Sequence, residues 1–128
     1  MKSRWHEWID EHVDHAFQLN AEDPLVGYFA GQEPSRLKRV MTFPGDPTTE
    51  ALACAMFLKL KAFARAEGYV WDVASVSIEE TPTNMVIVEE RDVREFEAHV
   101  HQGYPDQYWF NRRDMSINDF GHRTPKKV

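Results

Sequence analysis

Between Asp46 and Val88 the hydrophobic period changes from three-and-four to two, so helix and strand must share one core. Leu52, Ala53, Met56, Phe57, Leu60, Phe63 and Ala64 recur at helical spacing. Asp46 is placed to cap this helix, Pro47 suits its first position, Glu50 favours its first turn, and Gly68 ends it. Ala74, Val76 and Ile78 then alternate with Ser75, Ser77 and Glu79, the pattern of a half-buried strand. Thr81-Pro82-Thr83-Asn84 reads as a turn, and Met85 to Val88 as the return strand of a hairpin.

Ahead of this unit, Trp5, Trp8, Ile9, His12, Val13, Ala16 and Phe17 form one stripe of a helix from about Ser3 to Phe17. Gln18 to Gln32 reads as irregular, with turns at Asn20, Asp23-Pro24 and Gly27. Glu33 to Pro44 reads as a connector in which Leu37, Val40 and Phe43 form a short extended piece. After it, Arg91 to Val100 predicts a charged helix, Gly103 to Asn111 is rich in aromatics, and Arg123 to Val128 reads as a frayed end. The fold class is therefore α+β. Two strands alone make a marginal sheet, so further strands must come from the tail or from another chain.

A chain of 128 residues supports one core without staples, and the single Cys54 excludes a disulfide framework. Cys54 sits between Ala53 and Ala55, as a small buried filler does. The net charge of −6 argues against non-specific binding to nucleic acid or anionic membranes. No apolar run approaches the ~20 residues that span a bilayer, and no secretory leader is visible, so a soluble cytoplasmic protein is expected.

Asp14-His15 is a possible proton-shuttling pair, or simply a histidine at a helix C-terminus. Neighbours on a helix point apart, so a direct contact needs the helix to end there. His12 with His15, and His99 with His101, have spacings that suit a metal, though six histidines in one chain produce such pairs by chance. His12 falls in the apolar stripe and reads as a packed core histidine. Glu80 ends a strand, where its carboxylate could accept from a paired N–H edge such as that of a pterin or guanine. The alternative is an exposed strand-end acid.

Three stretches together resemble one family. Val13-Asp14-His15 with Leu19-Asn20 resembles the Leu-Asp-His element of the 6-pyruvoyl- and 6-carboxy-tetrahydropterin synthases. Pro47-Thr48-Thr49-Glu50-Ala51-Leu52-Ala53 resembles their Pro-Thr-Ser/Thr-Glu helix start, and Val76 to Asn84 resembles their Val-x-Val-x-Glu-Thr hairpin. The resemblance covers about Lys2 to Glu90. It implies a T-fold, with two helices on one face of an antiparallel sheet and pterin pockets between subunits of a homo-oligomer. Residues 1–90 would then be a partial T-fold domain and 91–128 a C-terminal extension, helical or edge-covering.

By this resemblance Glu80, followed by Thr81, anchors a pterin ring, Thr48 and Thr49 line the pocket, and Asp14 and His15 take part in proton transfer. The family's zinc-binding N-terminal hairpin, with its histidines and catalytic cysteine, has no counterpart here, so no metal ligands are assigned. The resemblance implies a lyase acting on dihydroneopterin triphosphate or a related pterin, as in preQ0, queuosine or biopterin routes. A hairpin from another chain or an upstream start would complete it. The alternative is a non-catalytic pterin- or purine-binding or assembly subunit that has lost zinc. A rearranged enzyme, with His99 and His101 as substitute ligands after Phe96-Glu97-Ala98, ranks below both.

Overall fold

The computed structural model describes residues 2–68, 72–100 and 108–119. It is an α+β fold in which helix α3, Thr49–Ala66, lies on one face of an antiparallel hairpin, β3 Ser75–Thr81 and β4 Asn84–Glu89. The hairpin register pairs Val76 with Val88 and Ile78 with Val86, which brings the apolar side of both strands under the helix. A register shift between Glu79 and Thr81 sets Glu80 at a bulge. The hairpin leads directly into α4, Glu90–Val100, which also packs on α3.

The start of α3 differs from the sequence reading. Thr48, not Asp46, is the N-cap, and its Oγ1 accepts from the Ala51 N–H at 3.0 Å. Thr48 is extended while Thr49 begins the helix, so Pro47 lies outside it. Gly68 ends α3 with φ +77, a conformation that costs other residues a clash at Cβ.

The N-terminal third differs more. Helix α1, Lys2–Trp8, passes into a wide turn of π-helix, Ile9–Val13, which stops at Asp14. Phe17 therefore belongs to a strand, β1 Phe17–Asn20, and not to the helix. The stretch expected to be irregular contains a second helix, α2 Pro24–Gln32. Asp23 and Pro24, which read as a turn, are its N-cap and first residue; Asp23 Oδ1 accepts from Leu25 N–H at 2.9 Å. A 3₁₀ turn, Pro34–Arg39, leads into β2, Val40–Phe43, which pairs in parallel with β1. Parallel strands need a crossover, and α2 with the 3₁₀ turn supplies it.

One core joins these parts. Trp8, Met41, Phe43, Phe57, Phe63, Trp109, Phe110 and Ile117 are almost wholly buried in it. Trp8 meets Phe63 edge-on at 5.8 Å and Trp109 at 6.2 Å. Segment 108–119 is sewn to β2: Thr42 N–H donates to Ile117 O at 3.2 Å, and Trp109 Nε1 donates to Thr42 O at 2.6 Å. Asn118 donates to the carbonyls of Leu37 and Val40, and Trp8 Nε1 to that of Ser116.

Lys59 lies fully buried on α3 inside this core, which its place in the sequence did not suggest. Its ammonium donates to Trp109 O at 2.8 Å and Arg112 O at 2.9 Å, and sits 3.5 Å from Asp114. The rings of Trp8, Phe63 and Trp109 surround it at 5.4–5.8 Å. Burial pushes its pKa down to about 7, against the opposing pull of Asp114.

Candidate functional site

The cap that starts α3 fixes the position of Thr49, the first helical residue. The alternation of β3 turns Val76, Ile78 and Glu80 toward α3. These two placements converge: Thr49 Oγ1 donates to Glu80 Oε2 at 2.8 Å. Glu80 is exposed, so its carboxylate is open to a ligand while Thr49 orients it. Thr48 is exposed beside it, and its hydroxyl oxygen is engaged in the cap. Thr81 is also exposed, and its Oγ1 accepts from Thr83 N–H at 3.4 Å. The family resemblance put Thr49 and Glu80 in one expected pocket; their direct hydroxyl–carboxylate contact comes from the packing of α3 on the hairpin.

A groove of about 520 Å³ opens beside the same helix start, between α3, β4 and α4. Ala51, Ile87, Val88 and Phe96 give it an apolar lining, and Glu50, Asp92 and Glu95 give it carboxylates. Cys54 lines its floor, with its thiol directed at Asp92 O at 3.9 Å. Burial, followed by the nearby carboxylates of Asp92, Glu50 and Glu97, pushes this thiol up to about 11, so it is no thiolate nucleophile near neutrality.

Asp14 and His15 lie where the π turn ends. Asp14 is already extended and His15 takes φ +63, left-handed backbone that is uncommon outside glycine. That break lets the adjacent side chains meet, with His15 Nε2 3.8 Å from Asp14 Oδ2 and both exposed. The Arg39 guanidinium donates to the Asp14 carbonyl and fixes the turn. Five residues on, Asn20 at the end of β1 donates to Asp46 Oδ1 at 3.2 Å, tying this region to the approach to α3.

His12 is half-buried, with Nδ1 3.5 Å from Lys38 O, and not deep in the core. Among the described residues no three His, Cys, Asp or Glu side chains gather to hold a metal. His101 lies outside the described residues, as does the side chain of His99. Among the described residues no helix is long and apolar enough to cross a membrane.

Comparison with known proteins adds one match. A family described as 6-pyruvoyl tetrahydropterin synthase matches residues 1–91, which takes in α1 to β4 and both candidate residue groups. No curated protein and no solved structure matches the chain.

Proposed function

Because the chain belongs to the 6-pyruvoyl tetrahydropterin synthase family, we propose that it recognises a pterin ring through Glu80 and acts on dihydroneopterin triphosphate or a related pterin. The contact between Thr49 Oγ1 and Glu80 Oε2 carries this reading. A carboxylate accepts through both oxygens. With Thr49 holding Oε2 from the protein side, Glu80 presents a fixed acceptor edge to the paired N–H donors of a pterin or guanine ring. Thr48 and Thr81 border the same end of the hairpin. Asp14 and His15, held at the strained turn, are the groups for moving a proton.

A hairpin from a partner chain or from an upstream start supplies the zinc-binding half, and lyase activity depends on it. A second reading is a pterin- or purine-binding subunit without catalysis. It is favoured by the absence of a metal-ligand cluster among the described residues. Turnover of dihydroneopterin triphosphate by the native assembly separates the two, because it contradicts the second reading; zinc at one per purified chain would contradict both, since each leaves this chain without metal ligands.

The ring-recognition step is tested by calorimetry with neopterin on the wild type, Glu80→Gln and Glu79→Gln. Losing charge-assisted acceptance should cost about 1.5–3 kcal/mol per hydrogen bond in Glu80→Gln. Glu79 is on the opposite face of β3, so its variant should bind as the wild type does. Equal losses, or no binding by the wild type, would remove Glu80 from this role.

A further inference from the structure

Helix α2, Pro24–Gln32, has no charged residue along its nine positions. Val26 and Phe29 point inward and are buried. At 100° per residue, Pro24, Gly27, Tyr28 and Gly31 fall on the opposite side, and all are exposed. A Cβ placed on Gly27 or Gly31 meets nothing within 4 Å, so side chains from outside can approach this helix backbone closely. Tyr28 on this face is 48% exposed, and beside it lie Leu25, 48% exposed, and Phe17 of β1, 49% exposed. Phe17 and Tyr28 both pack on Phe29, at 5.4 and 5.7 Å. Three of the five exposed large apolar side chains among the described residues are thus gathered at one place.

The ends of this uncharged face carry opposite signs. Glu22 and Asp23 precede the helix; after it Glu33 accepts from Tyr28 and pairs with Arg36, and Lys38 and Arg39 leave that end net positive. We propose that the outward face of α2 docks on the same face of a second copy of this chain, with the two helices antiparallel. Under a twofold axis near Tyr28, the acidic end of each copy lies over the basic end of the other. The two helix dipoles also oppose favourably. A parallel pairing would stack like charges at both ends. The glycines leave room for the partner's Tyr28 or Leu25 against the backbone, the close approach that small residues give to packed helices. This surface is separate from the Glu80 end of the hairpin, and the proposal does not depend on pterin binding.

The test is sedimentation of the full chain between 1 and about 200 µM at low salt, with helix content checked by circular dichroism. Gly31→Glu enters open space on an exposed helix and removes a poor helix former, so it should fold as the wild type does. It should weaken self-association at least tenfold. Glu22→Lys should weaken it in the same direction, and Glu22→Lys combined with Lys38→Glu should restore it. A wild type that stays monomeric, or self-association unchanged in Gly31→Glu, overturns the proposal. Failure of the double reversal to restore association overturns the antiparallel arrangement. Neopterin calorimetry on Gly31→Glu keeps the two apart: loss of self-association with ring binding retained, or the reverse in Glu80→Gln, shows which of them fails.

Discussion

Raising the pH from 7 toward 10 should stabilise this protein, and Lys59 is the reason. In the native state the amine is fully buried and its pKa falls from 10.5 to about 7. The unfolded chain keeps the ordinary value. Between these limits the unfolded state holds a proton that the native state has shed, so unfolding free energy rises with pH. Each unit is worth about 1.4 kcal/mol, which over the window gives at most ~5 kcal/mol. Asp114 and Asp119 favour the charged form and Arg112 opposes it, and all are counted in that pKa. Below pH 7 the amine is charged in both states and the slope vanishes.

Urea titrations followed by tryptophan fluorescence, on the wild type and Lys59→Met, measure this. Methionine keeps the stem volume and removes the titration. It leaves the carbonyls of Trp109 and Arg112 without that donor, at about 1–3 kcal/mol each. That loss shifts the variant's curve without tilting it. Cys54, whose thiol is pushed up to about 11, tilts both curves downward above pH 9 and cancels in the difference. The wild-type curve should climb relative to the variant from pH 7 to 10. Parallel curves would refute the reasoning, because they would mean that the ammonium is not desolvated.

Two further outcomes are expected. Phe63→Ala removes a ring buried against Trp5, Trp8 and Lys59 and should cost about 3–5 kcal/mol by chemical denaturation, whereas Met56→Ala, at a half-buried position, should cost less. Thr48→Ala removes the cap of α3 and should cost about 0.5–2 kcal/mol, read as a lower denaturation midpoint with an unchanged slope.

The helix-and-hairpin unit was legible because each of its signals is local. Glu50 and Gly68 punctuate α3, with the cap two residues later than expected, at Thr48, and Val76 and Ile78 alternate on β3. Helix α2 was not, since Asp-Pro and glycine serve turns and helix caps alike, and Gly27 and Gly31 lower helix propensity. The parallel pair β1–β2 has only four residues per strand, too few for a period to show, and its pairing spans α2. Lys59, between Leu58 and Leu60, reads as a solvent residue on any helix. Only the arrival of the Trp109 and Arg112 carbonyls, about fifty positions later, makes that site interior. The Asp14–His15 contact depended on where the first helix stops, and a π turn leaves no mark in the hydrophobic period.

The contacts of Trp8 with Ser116 and of Arg4 with Arg113 join positions 108 and 109 residues apart. During synthesis, the first helix leaves the ribosome long before its partners exist. Until Trp109 and Ile117 emerge, Trp8, Phe43 and Phe63 have no complete core to enter. Until then their rings stay exposed to water and to other nascent chains. Closing so long a loop places the decisive step after residues 108–119 have been made, and that stretch governs when the first helix can settle.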